Sequence, residues 1–108
     1  MFTVTESDIQ ELAAKIAAEF KPRKVILFGS RAYGTPHDDS DVDLLVVMPY
    51  DGSWLDITSE IAARIHPHRF PIDVIVRTPE EMKWRYEGGD PIIREAVDRG
   101  RVLYEAAA

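Results

Sequence analysis

Asp41-Val42-Asp43-Leu44-Leu45-Val46-Val47-Met48 is apolar throughout except for two aspartates near its start. An unbroken Leu/Val run of this length reads as a strand buried on both faces, and Pro49 ends it. Side chains at i and i+2 of a strand share a face, so Asp41 and Asp43 present two carboxylates about 7 Å apart along the chain. Neighbouring anions at the end of an apolar sheet repel, and one of them takes up a proton unless a cation lies between them. The pair therefore predicts a divalent cation, and Mg²⁺ in particular accepts a few carboxylates together with waters and substrate phosphates.

Upstream, Lys24-Val25-Ile26-Leu27-Phe28 is a second short strand that runs into Gly29-Ser30, a tight turn. Residues 31 to 34 fit one helical turn, and Pro36 with the Asp38-Asp39-Ser40 cluster keeps the next stretch irregular. At the N-terminus, Thr5-Glu6-Ser7-Asp8 is a helix start, and Ile9, Leu12, Ala13, Ile16, Ala17 and Phe20 recur at helical spacing until Pro22. Downstream, Trp54, Ile57, Ile61, Ala62 and Ile65 mark a second amphipathic helix that ends at His66-Pro67-His68. Phe70 to Arg77 is a third strand, with Asp73 set between Ile72 and Val74.

Thr78-Pro79-Glu80-Glu81 is a capping signature for a helix reaching Glu87, and Gly88-Gly89 breaks it. Asp90-Pro91 opens a further helix whose buried side is expected to carry Ile92, Ile93, Ala96 and Val97. Gly100 then precedes a strand from Arg101 to Tyr104. The order α-β-β-α-β-α-α-β, without repeats or a dividing linker, predicts one α/β domain over residues 1–108. Its expected form is a small mixed sheet with helices mainly on one face and the acidic site open on the other.

The 108 residues, 45% of them hydrophobic, suffice for one core. A net charge of −6 disfavours a protein that neutralises the phosphates of long nucleic acid, and suits a compact acidic site that recruits a cation. With no cysteine, disulfide and thiolate-metal frameworks are excluded. No long uncharged apolar run suggests a membrane span. The residues from Met1 to Glu6 lack the basic-then-apolar layout of a signal peptide, so a cytoplasmic protein is expected.

Asp73 recurs one helix after the aspartate pair, in a strand expected to lie beside it and to be buried on both sides. Three carboxylates from two adjacent strands can hold two metal ions, with Asp73 as the candidate base or as ligand of the metal that activates the acceptor. Gly29 lets a backbone approach a ligand closely, the amides after it can point at phosphate oxygens, and Ser30 adds a hydroxyl. Arg31 or Lys24 would bring positive charge to a triphosphate.

Phe28-Gly29-Ser30, ten intervening residues, Asp41-Val42-Asp43-Leu44 and later Ile72-Asp73-Val74 together resemble the signature of the nucleotidyltransferase superfamily that includes DNA polymerase beta and kanamycin nucleotidyltransferase. Val25 to Gly34 and Asp39 to Val46 look like its minimal prokaryotic group in particular, and the likeness spans roughly residues 5 to 105. It implies an enzyme that moves an NMP, in the first instance AMP from ATP, onto a hydroxyl and releases pyrophosphate. Carried over by position, Gly29 and Ser30 would hold the triphosphate, Asp41 and Asp43 would bind both Mg²⁺ ions, and Asp73 would be the third carboxylate of the metal site; Arg31 is the further candidate for the triphosphate from its charge alone. Similar members are often paired with a separate helical HEPN protein. In some pairs that partner is a toxic RNase, inactivated by AMP added to a tyrosine, so the resemblance implies an antitoxin role.

Two other functions stay open at this point: a non-catalytic partner-binding antitoxin, and a transferase acting on an aminoglycoside-like small molecule, which would need oligomerisation to build an acceptor pocket. Asp38 and Asp39 read as solvated loop residues, and His37, His66 and His68 as surface or helix-end histidines without ligand spacing. Trp54 and Trp84 are expected in the core or at an interface, and Tyr33 is expected to pack beside the turn. Arg94, Arg99 and Arg101, alternating with Glu95 and Asp98, read as a solvated face.

Overall fold

The computed structural model describes residues 4–33, 41–65 and 70–107. The irregular stretch 35–40 with Asp38 and Asp39, the side chain of Tyr33, and His37, His66 and His68 lie outside the described residues. The elements are α1 (Glu6–Phe20), β1 (Lys24–Phe28), α2 (Ser30–Tyr33), β2 (Val42–Val47), α3 (Trp54–Ile65), β3 (Ile72–Arg77), α4 (Pro79–Glu87), α5 (Pro91–Arg99) and β4 (Arg101–Glu105). Strand order is β3-β2-β1-β4. β1 is antiparallel to both β2 and β4, whereas β2 and β3 run parallel, with α3 as the crossover that a parallel pair requires.

Local chemistry fixes the helix starts. Thr5 caps α1 by accepting from the Asp8 amide at 3.1 Å, and Asp8 accepts in return from the Thr5 amide at 2.9 Å. The same reciprocal box joins Thr78 and Glu81 at α4, and the Asp90 carboxylate accepts from the amides of Ile92 and Ile93 at α5. α1 ends at Lys21, a non-glycine residue in the left-handed region at φ 50, one residue before Pro22.

The two central strands, β1 and β2, are buried between two apolar layers, which is why β2 reads as a continuous hydrophobic run. Val25, Leu27, Val42, Leu44, Val46 and Val76 pack against α1 and α3, through Ile9, Leu12, Ala13, Ile16, Ile61 and Ile65. Alternate residues Ile26, Phe28, Leu45 and Val47 face the other way, onto Ile93 and Ala96 of α5, with Met82 and Tyr86 of α4 at the margin. Each fully buried Leu, Ile or Val contributes roughly 1.5–3 kcal/mol. The two longest helices thus share one face, and the short α5 covers only part of the other.

Three expectations change. Ile92 and Val97 are 46% and 47% exposed, because a nine-residue helix touches the sheet along the single Ile93–Ala96 line. Of the two places expected for Trp54 and Trp84, the core is excluded: they are 40% and 57% exposed, flanked by the guanidinium groups of Arg77 and Arg85. β3 is an edge strand whose one fully buried residue is Val76, and Asp73 near its start is exposed. Burial does not distinguish Asp73, whose place in the site rests on register.

Candidate active site

Asp41 immediately precedes β2 and Asp43 is its second residue, so the pleat turns both toward the face that α5 partly covers. The parallel register sets Asp73 directly beside Asp43, and the strand starts are tied by the Val42 amide donating to the Pro71 carbonyl at 2.9 Å. One carboxylate oxygen from each of Asp41, Asp43 and Asp73 lies within 4.8 Å of the others. Two strands, one register and one pleat parity therefore bring together residues that stand 30 positions apart in the chain.

β1 arrives from the opposite direction and ends there. Phe28 is the antiparallel partner of Asp43, and Gly29 follows in the left-handed region at φ +78. A Cβ on Gly29 would overlap Asp43 Oδ2 and stand 3.2 Å from its Cγ. Only glycine satisfies both demands: it adopts positive φ without steric cost and leaves room for the carboxylate. From this corner Ser30 and Arg31 begin α2, with the Ala32 amide donating back to the Gly29 carbonyl at 3.0 Å.

The electrostatics are those of a cluster lacking its counter-charge. Desolvation, then Asp73, Asp41 and Glu95, push the Asp43 carboxyl up to about 6, from 3.8. Asp73 is also raised, by its hydrogen bond to Asp41, by desolvation and by the Asp41 charge. Every influence on these two groups opposes ionisation. A hard divalent cation with oxygen donors fits such a set: carboxylates within a few ångströms of one another, two of them open to water and so able to keep some of the ion's hydration.

The profile of the nucleotidyltransferase domain family matches residues 9–103, which takes in the whole of this site. The chain belongs to that family. It is a nucleotidyltransferase, and its sequence resemblance to that superfamily and its α/β class with a mixed sheet hold. A Methanocaldococcus jannaschii protein provisionally named a protein adenylyltransferase is 28% identical over 106 residues, covering 92% of this chain and 97% of that one. Among solved structures, a provisionally named nucleotidyltransferase from Sulfolobus solfataricus shares the fold at TM-score 0.60 and 24% identity, over 90% of this chain and 77% of that one. A toxin–antitoxin complex with AMP-PNP does so at 0.59 and 18%, over 90% and 73%. The MntA–HpeT toxin–antitoxin pair, carrying two Asp-to-Glu substitutions, does so at 0.52 and 17%, over 95% and 75%.

Of the residues expected around the nucleotidyltransferase site, Lys24 is the one misplaced. It opens β1 opposite Val47, four residues or roughly 13 Å from Phe28, and pairs with Glu105 at 3.5 Å. Glu95 is the converse case: the alternating charges of α5 read as a solvated face, yet Glu95 is half-buried and its charge reaches Asp43. No local signal marks it, because only the packing of Ile93 and Ala96 onto the sheet brings α5 to this face. Arg94 and Arg101 do lie on the surface, Arg94 over the Tyr86 ring and Arg101 bidentate on Glu6. Among the described residues, no helix is long and apolar enough to cross a membrane.

Proposed function

We propose that this chain is a Mg²⁺-dependent nucleotidyltransferase, a single domain over residues 1–108, that transfers AMP from ATP to a hydroxyl of a partner protein. The reading goes further to a tyrosine of a helical HEPN-type partner, in a cytoplasmic toxin–antitoxin pair. The observation that carries it is the convergence of Asp41, Asp43 and Asp73 beside the corner at Gly29, where the missing Cβ leaves room for the Asp43 carboxylate. The name of the M. jannaschii relative and the two toxin–antitoxin neighbours, one with an ATP analogue, support the choice of adenylyl group and of a protein partner.

In this mechanism Asp41, Asp43 and Asp73 hold Mg²⁺, and Gly29, Ser30 and Arg31 hold the triphosphate through backbone amides, a hydroxyl and a guanidinium. Bound Mg²⁺ supplies charge that offsets the carboxylates, acidifies the acceptor hydroxyl and stabilises the departing pyrophosphate. The acceptor oxygen attacks the α-phosphorus in line, the bond from that phosphorus to the bridging oxygen of pyrophosphate breaks, and Asp73 receives the hydroxyl proton. The rest is positioning on a rigid sheet end. An intact acidic cluster at an energetic disadvantage argues against a purely occluding antitoxin, since a binding module gains nothing from carboxylates that resist ionisation.

The test is transfer of label from α-labelled ATP to the co-expressed neighbouring protein in the presence of Mg²⁺. Asp41→Asn and Asp43→Asn should each reduce it at least about a thousandfold. Undiminished labelling in both variants would defeat the assignment, and labelling of a small molecule in place of the protein would select the aminoglycoside-type alternative.

A further inference from the structure

A concavity of about 600 Å³ lies away from the acidic site. It opens between the α4–α5 pair and the β1–β4 edge, at the end of β1 where Lys24 stands, and apolar side chains including Ile26, Met82, Val97 and Val102 line it. Val97 and Val102 are each nearly half exposed, so the apolar lining continues onto the surface around the mouth. A concave apolar patch of this kind is a binding surface rather than a solvated face.

The charges around the mouth restrict what can cover it. Arg23 and Lys24 stand there with Glu105. The guanidinium groups of Arg64, Arg85 and Arg101 are all paired with carboxylates, and those of Arg77 and Arg94 lie against aromatic rings. The exposed side chain of Arg23 has no carboxylate or ring partner among the described residues; its hydrogen bonds are made by its backbone, to Val47 and Ala106. Among the described residues Glu105 is held by Lys24 alone, at 3.5 Å, with a side chain 61% exposed. One patch thus offers an apolar centre, an unmatched cation and a loosely held anion.

A two-fold interface must be self-complementary, presenting both signs of charge around a shared apolar centre. We propose that two copies of the chain meet across a two-fold axis at the rim of this cavity, so that the exposed Val97 and Val102 of each copy enter the hollow of the other and Arg23 of each copy faces Glu105 of the other. The contact stands independently of the transferase reading. It leaves both acidic sites free, because the corner at Gly29 is at the opposite end of β1 from Lys24.

Sedimentation of the full chain at about 100 µM, at low and high salt, tests this. The wild type should sediment at twice the mass of one chain, and more weakly at high salt. Val97→Asp, at a position exposed enough to spare the fold, should give a folded monomer by circular dichroism. Arg23→Glu should weaken association at least about tenfold, and the double reversal Arg23→Glu with Glu105→Arg should recover most of that loss. A monomeric wild type, a dimer that Val97→Asp leaves intact, or a double reversal as weak as Arg23→Glu alone would overturn the proposal.

Discussion

The acidic residues at the two ends of the parallel pair β2–β3 live under opposite conditions. Beyond the C-terminal ends, burial pushes the Glu81 carboxyl up, but the Thr78 amide, the Tyr50 hydroxyl and the Arg77 charge outweigh it, and the group titrates below its usual range. Asp90 behaves alike: desolvation is overcome by the amides of Ile93 and Ile92 and by Arg85, 3.1 Å away. At the N-terminal ends, Asp43 and Asp73 find desolvation and each other's neighbours, and both are raised. The first set closes helix ends and holds loops. The second set costs stability as it stands, and the natural account of such a cost is function.

Substitutions at the two ends should therefore separate activity from stability. Asp43→Asn should give the largest and most divided effect: transfer lost, while the metal-free protein at pH 8 becomes more stable by about 1–3 kcal/mol, since a group raised from 3.8 to about 6 gives up roughly that much when its charge is removed. A fall in melting temperature for that variant would mean that the cluster is structural after all. Gly29→Ala should follow, because the added Cβ meets Asp43 Oδ2 and the backbone stays at positive φ. A loss of about 1–3 kcal/mol by denaturant titration is expected, with transfer down about a hundredfold or more.

Glu81→Ala should do the reverse of Asp43→Asn. It removes the reciprocal cap and the acceptor of Tyr50, for a loss of about 1–2 kcal/mol, and leaves transfer per folded molecule unchanged. Smallest of all is Arg101→Ala, which breaks the bidentate pair tying β4 to the start of α1. Both partners are largely exposed, so the loss should stay below about 1 kcal/mol. The hydrogen bond from Arg101 holds Glu6 down at about 2, from 4.5. That contribution is complete above the unfolded value and disappears as pH falls from about 4.5 toward 2, a dependence that Arg101→Ala should reduce to the part held by the Gln10 amide.

Helix starts were legible because their chemistry is local: Thr5 with Asp8, Thr78 with Glu81, and Asp90 before Pro91 each needed only a few adjacent residues. Strands β1 and β2 were legible from unbroken apolar runs, and the three aspartates from their strand positions. What the sequence could not carry is lateral order. An apolar run such as Ile72 to Val76 does not announce whether one neighbour or two will flank it, so β3 looked central and is an edge. Helical periodicity marks an apolar stripe but not its width, so it places Ile92 and Val97 beside Ile93 and Ala96 although only the latter two are buried. Lys24 and Glu95 exchanged places for the same reason: distance to the site is set by strand direction and by helix docking.

In the proposed mechanism the three carboxylates form one cation site, whose middle member, Asp43, exchanges a proton for metal. With its pKa raised, metal-free native protein binds that proton more tightly than the unfolded chain does, so this group's contribution favours the fold at low pH and is lost as pH rises from about 4 through about 6. Thermal melting at pH 5 and pH 8, with and without saturating Mg²⁺, reads this directly. Mg²⁺ should raise the melting temperature of the wild type strongly at pH 8 and weakly at pH 5, and should leave Asp43→Asn almost unmoved. An equal Mg²⁺ increment in wild type and Asp43→Asn at pH 8 would contradict the account.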